Sequence, residues 1–309
     1  DTCHTFLSGV GWTCPTGCER VESPMGCAAR GGLAPCRSKR CNSPVFAVDA
    51  ADPPALPWYF HAARGPRLAI ISFSDRAALR ALTWPSLRRL VDAHPGRYDL
   101  LLHEEPLLDA RDFHPAWNKL ALLRRALIVG HPHLQHKYEA VIWVDDDVVI
   151  TNPTFDRLYE VMEENLLCSN CTAIVLASRD EVTWERVPLN SGLLALKRHS
   201  STLDFIDELF RIGRRPQLFG GVRRLPRTSG WWDQDAIAAY IRQKGQGEFT
   251  LVEHGVLQSF VRPKRSRWRP GDFAAHLTHL RGLGGPEAQL AFVRQFLQNA
   301  SLPEGQPEP

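Results

Sequence analysis

Apolar runs of strand length alternate with longer amphipathic stretches from about residue 66 onward. The apolar runs cover residues 67–73, 98–105, 140–144 and 172–178. The amphipathic stretches between them cover residues 76–94, 116–130 and 154–166. Strands that alternate with helices of this length predict an α/β domain built on a largely parallel sheet.

The local sequence also predicts how the helices begin and which side they bury. Ser74 and Asp75 can cap the first helix, and Pro85 is expected to interrupt it because proline lacks an amide proton. Thr154 is the predicted cap of the third helix. One face of the second helix is apolar, as in a helix packed on a core, and carries Trp117, Leu120, Leu123 and Leu127.

Cysteine usage sets the beginning of the chain apart. Six of the eight cysteines lie in the first 41 residues, at Cys3, Cys14, Cys18, Cys27, Cys36 and Cys41. An even number of cysteines in a Gly/Pro/Ser-rich stretch predicts a disulfide-stapled segment. Zinc is the alternative, since Cys14 and Cys18 have C-x₃-C spacing, but no second tight pair completes a tetrahedral set nearby. The remaining two, Cys168 and Cys171, are predicted to pair with each other.

These features divide the 309 residues into four parts. A disulfide-stapled segment covers residues 1–50, a linker covers 51–65, the α/β domain covers 66–300, and a polar, disordered tail covers 301–309. The sequons at Asn170 and Asn299 agree with a lumenal compartment. The sequence begins without Met, signal peptide or apolar span, so we interpret it as a mature or trimmed lumenal part, which leaves room for an upstream membrane anchor.

Three consecutive aspartates follow the apolar run at 140–144. Adjacent carboxylates repel one another unless a cation lies between them. Side chains two apart on an extended chain point to the same side, so Asp145 and Asp147 can converge on one ion while Asp146 points elsewhere. Oxygen ligands suit Mg²⁺ or Mn²⁺, and the carboxyl ends of strands are where open α/β sheets bind ligands. The alternative is a solvated acidic turn.

Three functions can use such a site. One is transfer of a sugar from a nucleotide-sugar whose diphosphate the metal holds. Another is a haloacid-dehalogenase-type phosphatase, since "DDDVV" formally matches its nucleophile motif, although that motif normally opens its domain. The third is a metal-dependent carbohydrate-binding protein, with Trp231 and Trp232 as a stacking platform.

Five short segments, taken in order, resemble a known group of enzymes. They are "WNK" at 117–119, "VDDD" at 144–147, "LNSG" at 189–192, "DQDA" at 233–236 and "HLRG" at 279–282. Their order resembles the retaining GT-A-fold glycosyltransferases: the yeast galactosyl/mannosyltransferase and plant xyloglucan xylosyltransferase family, and the related glycogenin and lipopolysaccharide galactosyltransferase family. The resemblance implies a GT-A-like, Rossmann-related fold with a mixed, mostly parallel sheet flanked by helices.

The resemblance also implies roles for individual residues. Asp145 would contact the metal or the ribose, Asp147 would ligate the metal, and His279 would be a further ligand. Lys119 would face the donor, its alternative being a solvated lysine. Donor-binding residues would also include Asn190 and Gly282.

The segment at 233–236 would hold the reacting sugar. Asp233 would orient it, Gln234 would lie beneath the anomeric carbon, and Asp235 is the competing candidate. The resemblance implies Mn²⁺ or Mg²⁺ as cofactor, a UDP-sugar donor, retention of configuration, and a glycan or glycoprotein hydroxyl as acceptor. Galactose is the first expectation for the transferred sugar, followed by xylose or arabinose. The expected compartment is the Golgi lumen. Inversion would need a carboxylate base, for which Asp180, Glu181 and Glu185 are available.

Two segments carry dense positive charge. Residues 211–227 include Gly220–Gly221 and could form a lid, or could simply be solvated surface; residues 262–270 could clamp the diphosphate. Nucleic acid is not the expected partner, because charge elsewhere is balanced and the formal net charge is only +3.

Overall fold

The computed structural model describes residues 67–131, 137–180, 189–214, 232–263 and 265–300, together with five short strands outside these ranges. Three of the short strands form an antiparallel sheet: β1 (Cys18–Glu19), β2 (Pro35–Ser38) and β3 (Pro44–Phe46). The side chains of the six N-terminal cysteines lie outside the described residues, as does the tail at 301–309. The disulfides of these six cysteines and the disorder of the tail therefore stay predictions.

A six-stranded mixed sheet forms the centre of the described chain. Its strands are β4 (Leu68–Phe73), β5 (Tyr98–His103), β6 (Ala140–Val144), β8 (Val175–Arg179), β9 (Leu189–Lys197) and β12 (Phe249–Val252). They lie in the order β12-β8-β9-β6-β4-β5. Strands β5, β4 and β6 are parallel to one another, β12 is parallel to β8, and β9 runs antiparallel to both its neighbours. The predicted α/β class is therefore confirmed. The four strands predicted from the apolar runs are also confirmed, and they correspond to β4, β5, β6 and β8.

A smaller sheet continues from the end of β6. Its strands are β7 (Val148–Ile150), β13 (Ser259–Arg262), β14 (Arg265–Ser266) and β15 (Ala274–Leu277), in the order β14-β13-β15-β7. A further pair, β10 (Gln217–Phe219) and β11 (Val222–Arg224), is antiparallel. Because β7 begins directly after Asp147 and pairs with β15, the aspartates lie where the two sheets meet.

Six α-helices accompany the sheets in the described part of the chain. They are α1 (Ala77–Ala93), α2 (Asn118–Val129), α3 (Arg157–Met162), α4 (Ser200–Arg214), α5 (Asp233–Lys244) and α6 (Pro286–Ala300). Alternate residues of β4 face opposite sides of the central sheet. Ile71 belongs to a core cluster shared with α2, α4 and α5, whereas Ile70 belongs to one shared with α1 and α3. Both faces are thus covered by helices, which is why the strands are apolar throughout.

The apolar face predicted for α2 is confirmed, because all four of its residues are buried. Pro85, however, does not interrupt α1, which is continuous from Ala77 to Ala93. Trp84 and Leu87 on either side of the proline are buried against the sheet, and this packing holds the helix together across the missing amide donor.

The helix caps also differ from the sequence prediction. The cap of α1 is Arg76, which makes no side-chain cap bond, and that of α3 is Asp156, whose carboxylate accepts from the amide of Tyr159. Ser74 donates instead to Asp146, and Thr154 donates to Asn152. Because the cap positions are Arg76 and Asp156, the capping predictions for Ser74, Asp75 and Thr154 are wrong.

Cys168 and Cys171 form a disulfide in the turn after α3, with their Cα atoms 5.1 Å apart. No helix within the described ranges is both long and apolar enough to span a membrane.

Candidate functional site

Asp145, Asp147 and His276 converge at the junction of the two sheets. Each offers one ligand atom, and these atoms lie within 4.8 Å of one another. Asp145 and Asp147 follow β6, and His276 lies on β15, whose pairing with β7 brings its Nε2 to 3.2 Å from a carboxylate oxygen of Asp147. We call these three residues the metal triad. Two carboxylates and one imidazole form a donor set for Mn²⁺ or a related divalent ion.

His276, and not His279, completes the triad. His276 is a strand residue opposite Val148, whereas His279 lies beyond the end of β15 in the left-handed region, with a φ of 63°. His279 precedes the short 3₁₀-helix Leu280–Leu283 and is absent from the cluster of ligand atoms. The prediction of His279 chose the second of two histidines three residues apart; the structure brings the first, His276, to the two aspartates, and the ligand role itself stays a prediction.

The central aspartate of the triplet points away from the triad, as predicted, although the triplet lies in a turn closed by the bond from the amide of Val148 to the carbonyl of Asp145 and not on an extended chain. Asp146 accepts hydrogen bonds from the Ser74 hydroxyl at 2.5 Å and from Nε of Arg76 at 3.1 Å. Arg76 is an ion-pair partner of Asp146 and lies at the junction of β4 and α1. Asp146 therefore ties the triplet to the carboxyl end of β4.

Lys119 is buried beneath the site. Its side chain is 3% exposed, and Nζ lies 2.9 Å from the carboxylate of Asp233 and 3.1 Å from that of Asp145. The same ammonium donates to the hydroxyl of Ser191 at 3.0 Å. A solvated lysine is thereby excluded. Lys119 links α2, the aspartate triplet, β9 and the start of α5 into one charged network.

The charges of the site shift several ionisation equilibria. Burial raises the pKa of the Asp145 carboxyl to about 6, although the neighbouring Lys119 ammonium opposes this shift. Burial acts in the same direction on Asp147, but the charge and hydrogen bond of His276 together with the charge of Arg76 outweigh it, and the pKa of Asp147 is lowered. Burial lowers the pKa of Lys119, and the carboxylates of Asp145 and Asp233 together outweigh it, so the pKa is raised and the ammonium stays charged.

The first residues of β9 form the floor of the site. The side-chain oxygen of Asn190 accepts from the amide of Gly192 at 2.9 Å and from Nε2 of Gln258 at 3.1 Å. The carbonyl of Gly192 accepts from the amide of Asp145 at 2.8 Å. The structure places Asn190 within β9, where its contacts shape the backbone that supports Asp145.

Asp233 and Gln234 begin α5 and face this floor. Asp233 is 3% exposed and accepts from the hydroxyl of Ser191 at 2.8 Å. The Gln234 side chain accepts from the amide of Ser191 at 3.1 Å and donates to the carboxylate of Asp180 at 3.2 Å. Asp235 instead accepts from the amide of Trp232 at 3.1 Å, so this carboxylate caps α5. At the start of α5, the side chain of Gln234 therefore points toward Asp180, and the side chain of Asp235 points toward the amide of Trp232.

The remaining candidates have different outcomes. Gly282 lies in the 3₁₀-helix after β15, and no heavy atom lies within 4 Å of the position that a side chain would take there. The glycine pair Gly220–Gly221, Trp231, Glu181 and Glu185 lie outside the described residues. Their predicted roles remain predictions.

Sequence reasoning missed three contributors to the site: His276, Gln258 and the indole of Trp143, which donates to Asp145 at 2.5 Å. Trp143 carried a usable signal, because it lies two residues before Asp145 and an extended chain points both side chains the same way. Gln258 carried none, since within the described ranges its link to the site is the tertiary contact with Asn190.

Comparison with solved structures identifies the fold. Over 74% of this chain and 100% of the other, the structure is similar to a glycosyltransferase involved in glycosylation of the major capsid of PBCV-1, with a TM-score of 0.53 and 14% identity. Mouse xyloside xylosyltransferase 1 matches over 70% of this chain and 99% of its own, with a TM-score of 0.41 and 12% identity. A Drosophila β-1,4-galactosyltransferase 7 mutant, solved with manganese, UDP-galactose and xylobiose, matches over 78% of this chain and 82% of its own, with a TM-score of 0.35 and 10% identity.

At these identities the likeness establishes the fold, and the first of the three carries it. No family model matches the sequence, and no curated protein matches it. The GT-A-like class implied by the sequence resemblance is therefore confirmed: a mixed, mostly parallel sheet flanked by helices, with the metal triad where its two sheets meet.

Proposed function

We propose that this protein is a divalent-metal-dependent glycosyltransferase that moves a sugar from a UDP-sugar to a hydroxyl group of a glycan or glycoprotein, with retention. The observation that carries the proposal is the position of the metal triad beside Lys119, Asp233 and Gln234 in a GT-A-like fold. Galactose is the first candidate for the sugar, followed by xylose and arabinose.

The triad fits a divalent ion. Nδ1 of His276 is buried and has no hydrogen-bond partner within the described part of the chain. The polar partner of the imidazole there is Asp147, through Nε2. Asp145, Asp147 and His276 would hold Mn²⁺ or Mg²⁺ through two oxygens and one nitrogen. When bound, the ion supplies positive charge that stabilises the departing diphosphate without a proton transfer.

The surrounding residues hold the ligands of this ion in place. Lys119 neutralises Asp145 from below and fixes the Asp233 carboxylate at the start of α5. Trp143 donates to Asp145 from the same strand. Ligands that are oriented by a second layer of hydrogen bonds bind metal more tightly and in a defined geometry.

Gln234 supports the assignment of retention. Its amide is held by Ser191 on one side and Asp180 on the other, so its orientation is set before any sugar arrives. An amide can stabilise an oxocarbenium-like sugar electrostatically but cannot deprotonate the acceptor hydroxyl. The mechanism that fits is attack from the leaving-group side, with a diphosphate oxygen accepting the proton. Asp180 is the carboxylate that an inverting mechanism would use instead.

We place the enzyme in the lumen of the secretory pathway, with the Golgi as the expected compartment. The support is the disulfide between Cys168 and Cys171, since disulfides persist in oxidising compartments. The crowding of six more cysteines before residue 42 points the same way.

A panel of UDP- and GDP-sugars tests the function. The purified chain is incubated with each sugar and Mn²⁺, and both thermal stabilisation and nucleotide release in the presence of glycan acceptors are measured. We expect one UDP-sugar to stabilise the protein and to release UDP, and we expect the Asp147→Asn variant to release none. Asp112→Asn, at an exposed carboxylate outside the site, serves as the matched control.

Two outcomes would replace the proposal. Phosphate release from phosphomonoesters, without UDP release from any donor, would support the haloacid-dehalogenase-type phosphatase. Metal-dependent sugar binding without turnover of any donor would support a carbohydrate-binding protein.

A further inference from the structure

The turn after α3 contains a sequon that the proposed reaction does not use. Asn170, Cys171 and Thr172 form the tripeptide Asn-Cys-Thr. This pattern marks asparagines that accept an N-linked oligosaccharide on the surface of secretory proteins. Asn170 and Thr172 are exposed, whereas Ala173, the next residue, is buried. The sequon therefore lies at the surface of the folded chain, where a bulky hydrophilic group would displace no core residue.

The turn also lies at the end of the central sheet that faces away from the metal triad. Val175, the first residue of β8 after the turn, pairs with Leu196, whereas Ser178 pairs with Asn190 in the floor of the candidate site. Val175 and Ser178 are ~10 Å apart along an extended strand. Asp180, whose carboxylate accepts from Gln234, follows the end of β8 that lies at the site. An oligosaccharide on the turn would thus leave the donor site open.

The middle residue of the sequon is also half of a disulfide. Cys171 is joined to Cys168, and its amide donates to the carbonyl of Cys168 at 3.0 Å. The carbonyl of Cys171 in turn accepts from Nζ of Lys197 at 3.4 Å. Asn170 lies between the two cysteines, inside the ring that the disulfide closes. Once the ring has closed, the backbone on both sides of Asn170 is held in the turn.

We infer that Asn170 carries an N-linked oligosaccharide, which is attached before the Cys168–Cys171 disulfide closes. The side-chain amide nitrogen of Asn170 forms a bond to the anomeric carbon of a lipid-linked oligosaccharide diphosphate. The bond from that carbon to the diphosphate oxygen breaks, the lipid diphosphate leaves with the electron pair, and the amide loses one proton to a base of the transferring enzyme. The inference rests on the lumenal location proposed above, and it does not require the chain's own transferase activity.

The order of the two reactions follows from the residues they share. Cys168 and Cys171 are three positions apart, so they can meet without folding of the rest of the chain. A transferring enzyme has to bind the backbone of the whole sequon, including Cys171, in its own geometry. The closed ring fixes that backbone in the turn instead, so early closure should prevent the transfer.

Synthesis of the full chain in the presence of rough microsomes tests the site. A heterologous signal peptide directs the chain into the lumen, so entry does not depend on the proposed location. Asn299→Gln removes the other sequon. We expect a glycosidase that cleaves N-linked glycans to increase the electrophoretic mobility of this chain. Asn170→Gln and Thr172→Ala should abolish that change, and Thr172→Ser, which preserves the sequon, should retain it.

Oxidation during synthesis tests the order. Replacing reduced by oxidised glutathione should lower the fraction of glycosylated chains about twofold or more, because closure of the ring then competes with transfer. Cys168→Ser/Cys171→Ser is the matched control: it keeps a sequon, with serine in the middle position, but cannot form the ring. Its glycosylation should be the same under both conditions.

A short tag that carries its own sequon, fused after residue 309, reports entry into the lumen. Glycosylation of the tag without any glycan on Asn170 would exclude the site. An equal response of both chains to oxidised glutathione would show that the disulfide does not compete with transfer. Neither measurement involves a UDP-sugar or Mn²⁺, so failure of this inference is distinguishable from failure of the proposed function.

Discussion

Gly192 lies directly against the imidazole of His276: a β-carbon at position 192 would be 2.3 Å from Cε1 and 2.5 Å from Nδ1 of that ring. Non-bonded carbon atoms do not approach to this distance, and the optimum is about 3.5–4.0 Å. The glycine in "LNSG" therefore makes room for the third member of the metal triad, and this geometry leads to the first prediction.

Gly192→Ala should lower the affinity for Mn²⁺, because the added methyl group displaces His276 from Asp147. It should also cost about 1–3 kcal/mol of the free energy of unfolding, as is typical of overpacking. Both are measurable, by metal titration and chemical denaturation. Gly247→Ala is the control, since nothing lies within 4 Å of the added atom. Unchanged metal affinity in Gly192→Ala would mean that His276 is not a ligand.

The two histidines can be separated directly. His276→Ala should weaken Mn²⁺ binding by more than tenfold, since even the loss of a group behind a ligand costs about 10–100-fold. His279→Asn should bind Mn²⁺ as the unmodified protein does. Asparagine is the suitable substitution because it tolerates the left-handed backbone of position 279. The opposite pattern would return the ligand role to His279.

Lys119→Met should destabilise the protein strongly. Removing one partner of a buried ion pair leaves uncompensated charge, here on Asp145 and Asp233, at a cost of about 3–5 kcal/mol. Lys119 is 3% exposed, so solvent does not screen this loss appreciably. Chemical denaturation measures the change. Lys244→Met, at an exposed position at the end of α5, should stay within about 0.5 kcal/mol. A comparably small effect at Lys119 would show that the network is not needed for stability.

Gln234→Ala should reduce kcat by about 10²–10³, the usual contribution of a positioned electrostatic group, with donor binding largely kept. Asp235→Asn should retain most of the activity, because an asparagine oxygen can still accept the amide of Trp232 and cap α5. Proton NMR of the product then tests the stereochemistry. A β-linked product from a UDP-α-sugar would establish inversion. The proposed role of Gln234 would then be wrong, and Asp180 would become the candidate base.

Local periodicity was sufficient for much of the fold. The period of two along a strand predicted that Asp145 and Asp147 share a side and that Asp146 does not, and the ligand cluster and the Asp146–Arg76 pair agree, although the three residues form a turn between β6 and β7. The direction of β9 was not predictable in this way. An apolar run has the same pattern whether its strand is parallel or antiparallel to its neighbours, and only the pairing with β6 and β8 shows that β9 is reversed.

The sequence by itself determined the positions of four strands of the central sheet, which face of α2 is buried and that Asp145 and Asp147 share a side, because each of these depends on residues that are neighbours along the chain. Only the tertiary structure decided that His276 rather than His279 joins them, that Lys119 is buried between Asp145 and Asp233, and that Pro85 lies within an unbroken helix. These outcomes depend on strand ends and on packing between distant segments. Burial makes an ion pair or a packed indole outweigh a local preference that would prevail in water.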